Sequence, residues 1–363
     1  MRPPIDRLPV PIQTLYAELV DRAWSGSIAE LMAAGGAAYT REVNGRLYWY
    51  WQPSTGPDGR EKARYLGPDS EEMRGRIQEQ RDLATIKQER VNLVRALRAA
   101  RMPGPDALSG NIVAALASAG AFRLRAVLVG SVAFQTYLPL LGVRLPSALS
   151  TTGDLDIGQF HSIALAVEDE IDADLLTVLR RVDPRFQAVT SPMDARQVLR
   201  YAIRVGQQET FSVDVLCPLR GPLRGSVTAL KALRSSAQIL KHLDFLLYRE
   251  VNAAVLHGPG IPVNVPAPER YALHKLVVSE MRIDTATSQA KAAKDLGQAD
   301  SLIRVLASDR PDHLEEAWKE LRGRGPKWRL KADRAVARLP PDSRAVMEAL
   351  TADIGDTPAP VRA

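Results

Sequence analysis

The sequence predicts an α+β chain: a mixed sheet with flanking helices, an N-terminal region of helices and a β-hairpin arm, and a C-terminal helical domain. Three observations carry this. Ala126–Val129 and Thr210–Leu216 are short apolar runs with the length and composition of buried strands. Over 70–101, and again from Pro268 onward, apolar residues recur at helical spacing. Between the helical stretches, Arg46–Trp51 (RLYWYW) is dense in strand-forming aromatics.

A length of 363 residues allows two or three domains. Hydrophobic content of 45% and charged content of 25% are those of ordinary soluble globular proteins. No run approaches membrane-spanning length, and the opening MRPPIDRLPVP lacks the apolar core of a signal peptide, so the expectation is a cytoplasmic protein with no membrane partner. The single Cys217 has no partner for an internal disulfide and cannot make a zinc site by itself. Its place in an apolar strand reads as a plain buried thiol. A net charge of +6 and a pI near 9.4 fit nucleotide or RNA binding without requiring it.

Taken in order, residues 12–34 read as one or two helices, broken near Gly26. An arm over 39–67 follows, with strands at Arg46–Trp51 and Lys62–Leu66 about a turn at Gly56–Gly59. Alternation places Tyr48 and Tyr50 on one face and Leu47, Trp49 and Trp51 on the other. With Arg46, Arg60, Lys62, Arg64 and Tyr65 nearby, the arm mixes cations with stacking surfaces, as single-strand nucleic-acid binders do. The plain alternative is a small arm packed on the main body with Trp49 and Trp51 as its core. The two are compatible if one face packs and the other binds.

A long helix over 70–101 starts in an acidic turn and ends at Met102-Pro103-Gly104-Pro105, where a domain boundary is expected. The expected divisions are therefore 1–105, a central domain over 106–265, a helical domain over 266–352 and a disordered tail over 353–363. Asn111–Ser118 reads as a small-residue helix, Ser162–Val167 as a strand and 173–182 as a helix. The acids Glu168, Asp169, Glu170, Asp172 and Asp174 are explained by capping and dipole effects at that helix's start. Val198–Val205 is expected to pair with Phe211–Leu216. The Gly-broken stretch 219–235 carries Arg220, Arg224, Lys231 and Arg234, either as a loop that meets a polyanion beside the site or as a basic loop with no partner. Phe245–Leu247, Val251–Leu256 and Ile261–Val265 read as extra strands. Helices over Glu269–Met281, Ser288–Ala307 and 312–350 follow, with His274 read as a surface residue.

The chemistry is expected at 126–157. Gly130-Ser131 ends a strand and opens a helix, where a glycine lets backbone approach a phosphate and the helix amides offer donors. In Asp154-Leu155-Asp156-Ile157 a strand puts both carboxylates on one face while Leu155 and Ile157 point into the core. Two such carboxylates repel unless a cation lies between them, and Mg²⁺ or Mn²⁺ takes oxygen ligands. Asp214 is an acid at the centre of another apolar strand, costly to bury without a partner. Three carboxylates from two strands could hold two metals about 4 Å apart, clamping the attacking and leaving oxygens of a phosphoryl-type displacement. The plain alternative is a Gly-Ser turn with solvent-facing acids.

Gly130-Ser131, Thr152-Gly153-Asp154-Leu155-Asp156 and the later Asp214 resemble the polymerase-beta-like nucleotidyltransferase superfamily. Pro268-Glu269…Lys275-Leu276 and Lys294-Asp295 resemble more particularly the AbiEii/MenT-type bacterial nucleotidyltransferases of toxin–antitoxin and defence systems. The resemblance covers roughly 106–310, although Arg144 stands well ahead of Asp154 rather than beside it. It implies a nucleotidyltransferase-type mixed sheet and transfer of a nucleoside monophosphate from an NTP. By the same resemblance Asp154, Asp156 and Asp214 are catalytic and bind metal, while Gly130, Ser131, Thr152 and Lys275 bind nucleotide. Lys294 and Asp295 would tie the helical domain to the catalytic one. The implied acceptor is RNA, with tRNA 3′ ends as precedent and Arg46, Tyr48, Tyr50, Arg64, Arg220 and Arg224 as candidate contacts. A cognate antitoxin is the implied protein partner. Protein or small-molecule acceptors, and an inactive nucleotide-binding module, stay open at this point.

Overall fold

The computed structural model describes residues 5–355 apart from 33–35, 54–61, 79–82, 146–152, 162–168, 192–193, 195–196, 207, 220–224 and 283–285. The expected strand at Ser162–Val167, the turn at Gly56–Gly59, Thr152, Arg220, Arg224 and the tail from 356 lie outside the described residues.

Strand β1 (Asp6–Arg7) precedes helix α1 (Val10–Met32). This helix runs through Gly26, where the sequence suggested a break. The glycine serves space: a β-carbon there would stand 2.5 Å from Arg90 Nη1. The arm has three strands, β2 (Gly36–Val43), β3 (Arg46–Pro53) and β4 (Arg64–Pro68), paired antiparallel in that order. The sequence reading missed β2. Its turn into β3 is Asn44-Gly45, both at positive φ, the pair that a tight two-residue hairpin favours.

The middle of β3 and of β4 is packed on both faces, while most of β2 and the Arg46–Leu47 end of β3 stay exposed. The rings of Tyr48 and Tyr50 meet Tyr65, with Tyr50 and Tyr65 joining the main core. Trp51 and Trp49 on the other face pack with Ile28, Leu66 and Met73. Helices α2 (Glu71–Gln78) and α3 (Leu83–Ala99) follow.

Helix α4 (Ala107–Ser118) is capped by Asp106, whose carboxylate accepts from Ser109 N. Then come β5 (Val127–Val129), α5 (Gly130–Leu140), β6 (Val143–Arg144), β7 (Asp154–Gly158) and α6 (Leu175–Val182), the last capped by Asp174 as expected. Asp169 departs from the capping account. It is buried, accepts Tyr65 N at 2.8 Å and Arg123 Nη1 at 2.6 Å, and so anchors the arm to the body.

The remaining strands are β8 (Gln187–Thr190), β9 (Val198–Val205), β10 (Gln208–Pro218), β11 (Val227–Leu230) and β12 (Ser235–Leu240), then β13 (Glu250–Val255) and β14 (Ile261–Pro266). Between β12 and β13, Leu243–Leu247 forms the short helix α7. The sequence reading made Phe245–Leu247 a strand, an ambiguity that short apolar runs always carry. It also missed β11 and β12 in the basic stretch after Asp214.

The main sheet runs β11-β12-β10-β7-β5-β14-β13, with β9 also on β10 and β8 on β9. Helices α8 (Pro268–Ser279), α9 (Ala286–Asp309), α10 (Pro311–Gly323), α11 (Pro326–Ala337) and α12 (Pro341–Asp353) complete the chain. Four of these five carry a proline in the first turn, where the missing N–H costs nothing. One buried cluster runs from Leu128 and Val213 in the sheet through Tyr271 to Trp318 in the helices. No described helix is long and apolar enough to cross a membrane.

Candidate active site

Asp156 sits at the centre of the sheet. It pairs with Val129 of β5 on one side and with Asp214 of β10 on the other, in antiparallel and parallel register. Leu155 and Ile157 alternate to the buried face, so Asp154 and Asp156 share the open one. Gly130 follows Val129 at φ +70°, and a β-carbon there would stand 2.7 Å from Asp156 Oδ2. Only glycine fits both the backbone angle and the space. The turn is pinned from below: Tyr271 donates its hydroxyl to Gly130 O at 2.9 Å, and a Tyr271–Gln298 contact of 3.0 Å secures the phenol.

Facing these acids are cations of α8 and α9 and, between those helices, Arg282. Lys294 donates to Ser131 Oγ at 2.7 Å, and Lys291 Nζ stands 3.3 Å from Asp154 Oδ2. Lys275 donates to Asp295 Oδ1 at 2.5 Å, with Arg282 Nη1 3.3 Å from the other oxygen of Asp295. Lys291, Lys294, Asp295 and Gln298 recur at the spacing that puts residues on one side of a helix. On the sheet side, Arg200 Nε lies 3.5 Å from Asp214 Oδ1, and Gln238 Nε2 donates to that oxygen at 3.2 Å. Arg200 also reaches Glu209 at 3.1 Å. The acids and cations of these groups, with Gly130 and Ser131, line a cavity of about 560 Å³, within the range of small-molecule sites.

The electrostatics are lopsided within that cavity. Burial, then the negative charges of Asp154 and Asp214, push Asp156 up to about 7 against the pull of Lys275 and Arg282. Burial also raises Asp214, with Arg200 opposing. Lys294 is lowered by burial and by Lys275.

The donor set fits a hard divalent cation. The oxygens of Asp154 and Asp156 share a face, and Asp156 carries a repulsion that a cation would relieve. There is no preformed cage: among the described residues no three His, Cys, Asp or Glu side chains gather closely enough to hold a metal ion. Lys291 draws on Asp154, while Arg200 and Gln238 draw on Asp214.

Of the residues singled out from sequence, Gly130, Ser131, Asp154, Asp156, Asp214 and Lys275 line this one cavity. Arg46, Tyr48, Tyr50 and Arg64 do not. Tyr50 is 3% exposed, and Arg64 is held by Asp172 at 2.8 Å. Arg46 is exposed and away from the cavity lining. His274, read as a surface residue, is half-buried, and burial with Lys275, His242 and Arg282 nearby pulls it down to about 3.

Sequence reasoning missed Arg200, Glu209, Arg282 and Lys291. Lys291 was findable, since it stands one helical turn from Lys294. Arg200 depends on the β9–β10 register, in which Ala202 opposes Ser212. That register places Arg200 on the face of Asp214.

Comparison with known proteins places this cavity inside a recognised region. The family described as Nucleotidyltransferase matches residues 107–323, which contain every residue of the cavity lining. The crystal structure of an antigenic nucleotidyltransferase-like protein from Paracoccidioides brasiliensis is similar at 15% identity, covering 60% of this chain and 95% of that one, with a TM-score of 0.28. So low a score carries no argument. No curated protein matches the chain.

Proposed function

Because the chain belongs to the nucleotidyltransferase family, we propose that it moves a nucleoside monophosphate from an NTP to an acceptor hydroxyl, releasing pyrophosphate. One observation carries the reading: Asp154, Asp156 and Asp214 on the sheet face Lys275, Lys291 and Lys294 of α8 and α9, with Arg282 between those helices, across a single cavity. In this reading the triphosphate lies against the Gly130-Ser131 turn at the start of α5, where helix amides attract anions. Lys275, Lys291 and Lys294 neutralise it, Lys291 exchanging its contact with Asp154 for a phosphate oxygen.

Asp154, Asp156 and Asp214 would hold divalent metal, Mg²⁺ or Mn²⁺, which when bound neutralises phosphate charge and makes the acceptor hydroxyl more acidic. Asp214 accepts the proton of that hydroxyl. The acceptor oxygen bonds to the α-phosphorus as the bond to pyrophosphate breaks. Most of the protein's contribution is position and charge, as in phosphoryl chemistry generally.

The acceptor we propose is RNA, in a toxin–antitoxin or defence setting. Support comes from the net charge of +6 and from the resemblance of Pro268-Glu269…Lys275-Leu276 and Lys294-Asp295. The buried rings of the arm, Tyr50, Trp51 and Tyr65, lend none.

The test is incubation of the protein with each labelled NTP and a cell lysate, with and without divalent metal, followed by RNase or protease. The expected result is metal-dependent label that RNase removes and that Asp156→Ala abolishes. Label removed by protease would reassign the acceptor to protein. Full incorporation by a folded Asp156→Ala variant would overturn the site.

A further inference from the structure

A second cavity, of about 510 Å³, shares no lining residue with the first. It lies where α1, the arm and α3 meet the end of α4 and the turn at 259–262. The β5–β14 pairing is parallel, so this turn stands at the opposite end of those strands from Gly130. The wall carries Arg64, Lys87, Arg90 and Arg123 against two carboxylates, Glu30 and Asp172.

Three of these cations are fixed in place. Arg123 is held on Asp169 at 2.6 Å and Arg64 on Asp172 at 2.8 Å. Arg90 is buried, clamped by the carbonyls of Pro259 at 3.1 Å and Gly260 at 2.7 Å. Its Nη1 stands 3.6 Å from Glu30, beyond hydrogen-bond reach. Lys87 is exposed at the rim. Fixed guanidinium groups beside a mobile ammonium suit a dianion such as a phosphate monoester.

Apart from Ser27 and Ser118, the rest of the lining is small, apolar or aromatic. Ala114, Ala117, Ile261 and Pro262 form smooth surface, and Trp51 stands among them. Trp51 is 5% exposed, yet its indole Nε1 has no hydrogen-bond partner. That nitrogen is sealed from the cavity, so the Trp51 ring offers a ligand carbon surface only.

We propose that this cavity is a second ligand site for a small organic phosphate with a planar body, of nucleoside-monophosphate class. The phosphate lies against Lys87, Arg90 and Arg123, and the planar body lies against the small-residue wall. Such a ligand touches both the N-terminal helices and the catalytic sheet, and so ties them together.

The test is calorimetry on the full chain with the catalytic cavity blocked by a saturating non-hydrolysable NTP analogue. AMP and inorganic phosphate are the probes. The expected result is one AMP per chain, bound more tightly than phosphate. Lys87→Glu, on an exposed position, should weaken AMP about tenfold or more and leave the melting temperature and nucleotidyl transfer unchanged. Asp156→Ala should still bind AMP here, which separates this site from the catalytic reading. Absence of AMP binding at low-millimolar concentration would overturn the proposal. So would AMP binding that Lys87→Glu leaves intact, or phosphate binding as tight as AMP.

Discussion

Gly130 and Asp156 are fitted to each other: a β-carbon on the glycine would stand 2.7 Å from Asp156 Oδ2, on a backbone at φ +70°. Gly130→Ala therefore meets strain and collision together, a cost of about 1–3 kcal/mol. Displacing the carboxylate also moves the turn that faces the phosphates. The expected outcome is a lowered melting temperature and a loss of roughly a hundredfold in incorporation at saturating NTP, the scale of a misplaced reacting group. Wild-type rates from the folded variant would remove Asp156 from the reaction.

Asp156 also makes a pH signature. Its folded-state value is pushed up to about 7, against about 3.9 for an unperturbed Asp. Between those values the folded state binds more protons than the unfolded one, so this group's contribution to stability falls as pH rises from about 4 to about 7. Asp156→Asn removes the effect. Melting curves of the metal-free pair should diverge as pH rises, with the Asn variant gaining on wild type by on the order of 2–4 kcal/mol at pH 7. Saturating Mg²⁺ should raise the wild type alone and close the gap. Parallel pH profiles would contradict the burial, and the repulsion from Asp154 and Asp214, that raise Asp156.

Local chemistry made part of this legible. Period-two alternation showed Asp154 and Asp156 sharing a face, and the Gly130-Ser131 turn was visible as the end of an apolar run. The opposing wall was not. Arg200 reaches Asp214 through a strand register, and Arg282 reaches the cavity through the packing of α8 on α9, neither of which periodicity encodes. The arm stayed open for a related reason. Aromatic alternation is the same for a binding face and a packed one, and only tertiary contacts with Tyr65, Ile28 and Met73 show which rings are packed.

That packing gives a prediction of its own. Tyr50→Ala deletes a ring that contacts both Tyr39 and Tyr65 and is 3% exposed. It should cost about 3–5 kcal/mol of stability, as for other buried aromatics. At a temperature where the variant stays folded, the KM for acceptor should not move. Arg46→Ala, on an exposed position, should change neither quantity by a measurable amount. A raised acceptor KM in either folded variant would return the arm to the binding surface.

Lys275 poses the sharper question, because its amine already has a partner. The Lys275–Asp295 pair, 2.5 Å apart, is nearly buried, with side-chain exposures of 12% and 3%. Lys275→Met leaves Asp295 with Arg282 at 3.3 Å, so the loss should approach the about 3–5 kcal/mol of a broken buried pair without reaching it. Destabilisation alone would say nothing about nucleotide. Lys275→Met combined with Asp295→Leu removes both charges, and stability should recover most of the loss, because apolar replacement of a buried pair is often nearly neutral. If Lys275 neutralises the triphosphate, the double variant should still bind NTP about tenfold or more weakly by calorimetry, with KM raised to match. Recovery of both stability and KM would reduce Lys275 to a strut between α8 and α9, leaving Lys291 and Lys294 to meet the phosphates.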